Sequence, residues 1–194
     1  MRTVLAAVLL LAASAHAAPE LGKPAPDFTV NDQNGKPVKL SDAKGKVVVL
    51  EWYNKGCPFV KKHYGSGNMQ GLQKKYGKKG VVWYSVISSK PGKEGHLDQA
   101  AAKAELKTIS PKAILNDEAG DVGRLYGAKT TPHMFVVDKK GVLVYAGGID
   151  DKPSADPKDI KSSKNFVASA LDEVLAGKPV TAASSTPYGC SVKY

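Results

Sequence analysis

The sequence predicts an α/β protein, a central mixed sheet flanked by helices with an N-terminal β-hairpin extension. Three observations predict it. Residues 47–52 and 81–87 are short, nearly continuous apolar runs, the pattern of strands buried on both faces. They alternate with segments of helical periodicity, which implies parallel strands with helices covering both faces of the sheet. A final hairpin, residues 134–137 and 142–146 across Asp138-Lys139-Lys140-Gly141, adds antiparallel strands at one side.

The chain opens on an address. Met1-Arg2 is a short positive start, residues 4–13 are apolar, and Ser14-Ala15-His16-Ala17 ends in the small-x-small pattern that signal peptidases cut. The apolar run falls short of the roughly 20 residues a membrane span needs, and no later stretch is long enough. The expectation is a signal peptide over residues 1–17, cleaved near Ala17, and a periplasmic or secreted product. One domain over residues 18–178 and a C-terminal tail over 179–194 follow.

Within the domain, residues 28–30 and 37–40 flank Asn34-Gly35, a strong hairpin signal. Residues 58–76 read as one helix, with Pro58 suited to its first turn and Gly77 near its stop. A polar loop over 88–95 leads to an alanine-rich helix at 97–107, a short strand at 113–115 and a helix at 118–126 closed by Gly127. Residues 166–175 form the last amphipathic helix, and the tail beyond Gly177 has the composition of a flexible linker. Trp52, Trp83, Phe135 and Tyr145 fall on strands and are assigned to the core.

Composition narrows the function. With 42% hydrophobic and 24% charged residues the chain is an ordinary globular protein. Its 28 basic against 18 acidic residues give +10. That raises nucleic acid as a partner, but the excess is lysine, and Arg124 is the one arginine left after cleavage. Planar arginine forks do most base and phosphate recognition, so no nucleic acid is expected. The lysines form a solvated cationic surface that suits an anionic envelope partner. No glycine-rich dinucleotide or phosphate loop is present, and no organic cofactor is implied.

The chemistry concentrates on the two cysteines, Cys57 and Cys190. An apolar strand runs through Asn54-Lys55-Gly56-Cys57-Pro58-Phe59-Val60 into a helix, which places Cys57 at the helix N-terminus. Unpaired N–H groups and the positive helix end favour the thiolate, the reactive form. The bland reading of a lone cysteine is a small buried hydrophobe. Lys61 and Tyr64 share the helix face of Cys57, whereas His63, six residues on, lies about 240° round the helix. A second motif, Thr130-Thr131-Pro132-His133-Met134-Phe135, opens a strand with a proline. Cys190, in Tyr188-Gly189-Cys190, sits on the tail, either as the redox partner of Cys57 or in a static disulfide with it. Cys57, His133 and Cys190 together are soft ligands of the kind copper takes, though no spacing demands a metal and none is assigned. His133 is otherwise a surface histidine, and Asp150, Asp151 and Asp156 form an acidic loop without the regular oxygen spacing of a calcium site.

On the Cys57 and Pro132 motifs the chain resembles the thioredoxin-like redoxins. It looks most like the alkyl hydroperoxide reductase/thiol-specific antioxidant superfamily, and there the peroxiredoxin-like proteins with a Cys-Pro-Phe-Val motif. The resemblance covers roughly residues 24–177. It implies a thioredoxin-like fold, a cis Pro132 lying against Cys57, and Thr131 offering backbone groups to an extended substrate. It implies catalytic Cys57 and Cys190, substrate contacts from Thr131 and Pro132, and a protein or small-molecule thiol or disulfide as substrate; Lys61, on the Cys57 face of the helix, is assigned to the same site as electrostatic support for the thiolate. Two departures matter. Val60 stands where a thioredoxin carries its second cysteine, and Asn54 stands where a peroxiredoxin carries a threonine before its peroxide-reacting cysteine. No arginine lies near Pro132 in sequence. Thiol–disulfide oxidoreduction is therefore the expected activity, with a divergent thiol peroxidase and a copper- or partner-binding module as alternatives.

Overall fold

The computed structural model describes residues 18–194, so the expected signal peptide lies outside the described residues. A seven-stranded mixed sheet organises the chain. Its strands are β1 (Thr29–Asp32), β2 (Pro37–Lys39), β3 (Val48–Trp52), β4 (Val82–Ile87), β5 (Ala113–Asn116), β7 (His133–Val137) and β8 (Leu143–Gly147), in the order β2-β1-β5-β4-β3-β7-β8. Parallel pairing is confined to β5-β4-β3; the two hairpins and the β3–β7 and β1–β5 pairs are antiparallel. The Asn34-Gly35 turn has Gly35 at φ 76°, as a tight hairpin requires.

The apolar runs are buried for the reason their composition suggests. Strand alternation sends Val48, Leu50 and Trp52 of β3, with Phe135 and Val137 of β7, to one face. There they pack on Val122 and Tyr126 of α4 (Asp121–Leu125) and its C-cap. Val47, Val49, Met134 and Val136 go to the other face, against α2 (Asn68–Gly77) and α5 (Phe166–Leu175). Trp52, Trp83, Phe135 and Tyr145 are all at most 2% exposed. A third cluster joins α1 (Pro58–Gly65) and α3 (Gln99–Glu105) to the end of the sheet through Val60, Ile87, Leu97, Ala102 and Ile114. Each buried Val, Leu, Ile, Phe or Met among them contributes about 1.5–3 kcal/mol by leaving water. Asp98 and Asn165 cap α3 and α5 by accepting from Ala101 N and Ala168 N.

Two expectations are corrected. The single helix over 58–76 is two helices, because Gly67 takes φ 75° and caps α2 while Ser66 Oγ bonds back to the carbonyls of Lys62 and His63. The tail is not a flexible linker. Ser184 bridges Ala146 and Ser185 Oγ meets Tyr145 and Gly148. Its last strand, β9 (Cys190–Ser191), pairs antiparallel with β6 (Thr130–Thr131) in a separate two-stranded ribbon. Tyr194 OH then donates to Ala128 O.

Candidate active site

Cys57 is the N-cap of α1, with Pro58 in the first helical position, where its missing N–H costs nothing. Strand β3 delivers it through a loop in which Asn54 Oδ1 accepts from Gly56 N and Asn54 O accepts from Cys57 N. From the opposite side comes the bend before β7, where the Thr131–Pro132 peptide bond is cis. As a thiol, Cys57 donates to Thr131 O at 3.0 Å. The register of the β6–β9 ribbon sets Cys190 directly opposite Thr131, and Cys190 packs against Cys57. The structure thus brings Cys57, Thr131, Pro132 and Cys190 together. Both cysteines are free thiols.

The two thiols are unlike. Burial by itself raises the Cys57 pKa. Hydrogen bonds from the Cys190 thiol, from the N–H groups of Val60 and Cys190 and from the Thr131 side chain outweigh it, so the thiol lies below its ordinary value. Burial, the adjacent Cys57 and the charge of Glu94 push Cys190 up to about 12. Cys57 is therefore the thiolate former of the pair. Its sulfur is not open at a helix tip, however. Cys57 is 0% exposed, in a cluster with Tyr53, Val60, Ile87 and Leu97 against which Cys190 of the tail packs, whereas Cys190 is only partly buried.

Lys61 is not drawn into this cluster. It stands exposed on α1, and its neighbour Lys62 is the buried lysine. His133 is corrected from a surface residue to a buried one. It is 6% exposed, stacked on Phe135, accepts from Lys129 N at Nδ1, and is held neutral by burial and Lys129 with its pKa pushed down to about 4. Among the described residues no three His, Cys, Asp or Glu side chains gather as a metal site.

Three features escaped the sequence reading. Glu51, an acid inside the apolar run of β3, is fully buried and bonded to Tyr64, Trp83, Gln73 and Ser85. Burial outweighs those bonds and pushes its pKa up to about 7. The lone charge in that run was its visible signal. Asp150 turns inward from the acidic loop to Lys62, His63 and Tyr188, an arrangement no local pattern announces. Gly189 takes φ 136°, and a Cβ there would overlap the Thr131 carbonyl oxygen, so only glycine lets the tail lie this close.

Fold and site define a thioredoxin-like redoxin, and the chain belongs to the AhpC/TSA family, whose model matches residues 21–146. It is similar to thiol-disulfide oxidoreductase ResA of Bacillus thuringiensis subsp. konkukian (strain 97-27), 31% identical over 64% of this chain and 68% of that one. A solved structure of an uncharacterized conserved protein from Geobacillus kaustophilus superposes with TM-score 0.75 at 28% identity, over 90% and 92% of the two chains. A putative thiol:disulfide interchange protein DsbE from Chlorobium tepidum gives TM-score 0.52 at 29% identity, over 66% and 84%.

Proposed function

We propose that the protein is a periplasmic thiol–disulfide oxidoreductase of antioxidant type in which Cys57 is the nucleophile and Cys190 the resolving thiol. The observation that carries this reading is the Cys57 sulfur at the N-terminus of α1, below its ordinary pKa and in contact with Cys190 over the Thr131–Pro132 bend. The Cys57 thiolate attacks one sulfur of a substrate disulfide; a mixed disulfide forms and the first substrate thiolate leaves with a proton. Cys190 then gives up its proton and attacks the Cys57 sulfur. The second substrate thiol is expelled and a Cys57–Cys190 disulfide remains. Two protein thiols are oxidised and one substrate disulfide is reduced to two thiols. Because the tail packs against the buried Cys57, it must lift for the first attack and return for the second. Thr131 and Pro132 then offer a substrate strand the edge that β9 otherwise occupies. Lys61, exposed on the same helix, contributes positive charge at the rim. The exported form begins near Ala18, and the lysine-rich surface meets an anionic envelope partner.

The test is reduction of insulin and of oxidised glutathione by the mature chain. The expected result is activity in the wild type, abolished in Cys57→Ser, with Cys190→Ser accumulating the mixed disulfide on Cys57. Fast oxidation of Cys57 by hydrogen peroxide without disulfide exchange would overturn the reading in favour of a peroxidase. Opposing the peroxidase, Asn54 is tied into its own loop and Arg124 is engaged with Asp121 and the Tyr194 ring.

A further inference from the structure

A buried polar cluster that the exchange chemistry leaves unused stands beside the tail. Tyr188, two residues before Cys190, donates its hydroxyl to Asp150 Oδ1 at 2.5 Å and lies 3.2 Å from His63 Nε2. Its ring meets Phe59 edge-on at 5.8 Å, and the Lys62 ammonium lies 5.6 Å from its centre. The groups that receive it are fixed by other partners. Lys62 donates to Lys152 O at 2.8 Å, His63 Nδ1 is 2.9 Å from Asn68 Nδ2, and both basic groups lie 3.8 Å from Asp150 Oδ2. The side chains of Lys62, His63 and Asp150 are at most 1% exposed. Among the described residues Asp150 Oδ2 has no hydrogen-bond partner, and Oδ1 accepts from Lys152 N at 3.0 Å and from the Tyr188 hydroxyl, which is the tail's donor to that carboxylate.

Between this anchor and Cys190 stands Gly189 alone, with its backbone pressed on the Thr131 carbonyl. One residue leaves the chain no slack, so where Tyr188 is held decides where the Cys190 sulfur falls. A tethered group held in one place reacts with its neighbour at a far higher effective concentration than one on a free tail. We propose that the Tyr188 hydroxyl and the Asp150 carboxylate form a latch that positions Cys190 on Cys57, which makes them positioning residues of the dithiol couple. The proposal rests on the Cys57–Cys190 reading above and adds the groups that set its strength. Lys62 and His63 hold the carboxylate that receives the tyrosine.

The experiment equilibrates the mature chain with mixtures of reduced and oxidised glutathione, quenches with acid, and counts the Cys57–Cys190 disulfide and glutathione-bound Cys57 by mass. The glutathione disulfide supplies the two oxidising equivalents, and the effective concentration of Cys190 follows from the ratio. Tyr188→Phe, which keeps the ring on Phe59, should lower that concentration about tenfold, as loss of a charge-assisted hydrogen bond predicts. Tyr188→Ala should lower it about a hundredfold and speed alkylation of Cys57 in the reduced protein. Rupture of a merely structural contact would lower the unfolding midpoint and leave the ratio unchanged in the molecules still folded. An unchanged ratio in Tyr188→Phe and in Asp150→Asn overturns the latch and leaves the couple standing. A wild type that forms glutathione-bound Cys57 but no Cys57–Cys190 disulfide overturns the couple, and the latch with it.

Discussion

Two carboxylates are buried against helix α1, and the fold treats them in opposite ways. Glu51 lies under Tyr64 and receives only neutral donors: Tyr64 at 2.9 Å, Trp83 at 2.8 Å, Gln73 at 3.3 Å and Ser85 at 3.4 Å. Asp150 meets the residues just before Tyr64 on the same helix and faces two basic side chains and a phenol. Four neutral hydrogen bonds do not replace the water that an anion loses, so Glu51 titrates near neutrality. A carboxylate set between Lys62 and His63 belongs instead to an ion pair, which is costly to break from either side. The first acid is a pH-dependent part of the core; the second anchors the tail.

The largest effect that would sharpen this contrast is expected at Asp150. Asp150→Ala strands the Lys62 ammonium, 0% exposed, without its counter-charge. It should cost about 3–5 kcal/mol in urea unfolding. A loss under about 1 kcal/mol would show that the pair is not the anchor it looks to be.

Next comes the pH dependence set by Glu51. Its folded pKa is raised from 4.5 to about 7, so the folded state holds a proton that the unfolded state releases between those values. Its contribution is fully present below pH 4.5 and is lost as pH rises through about 7, a change of about 3 kcal/mol. Glu51→Gln should remove that slope. His63 and His133 act the other way. Burial pushes both down to about 4 from 6.5, so stability present above pH 6.5 is lost as pH falls toward 4. In the wild type the opposing slopes partly cancel over pH 4.5–6.5, and Glu51→Gln should expose a steep acid loss. Equal pH profiles for the two proteins in chemical denaturation would contradict the assignment.

The smallest effect is at Lys61. Lys61→Ala should change stability by less than about 0.5 kcal/mol, because the side chain is exposed where Lys62, one residue on, is buried.

The sequence carried the frame of this protein by itself. Continuous apolar runs fixed β3 and β4, Asn34-Gly35 placed the first hairpin, and residues 166–175 matched α5 to the residue. Cys57 before Pro58 announced a helix cap, and Pro132 announced the strand start beside it, because both effects act within a few residues. What the sequence could not reveal was set by groups far apart in the chain. The tail looked like a linker because its small and polar residues have no periodicity; its order comes from partners such as Thr131, Asp150 and Ala128. Which of the two adjacent lysines is buried was also not written locally: the loop bearing Asp150 takes in Lys62 and leaves Lys61 exposed. The order of strands, the burial of Cys57 and the pairing of Cys190 with Thr131 were likewise decided only in the folded chain. Local propensity and periodicity are written into neighbouring residues, whereas burial, charge pairing and thiol acidity depend on which distant surfaces meet.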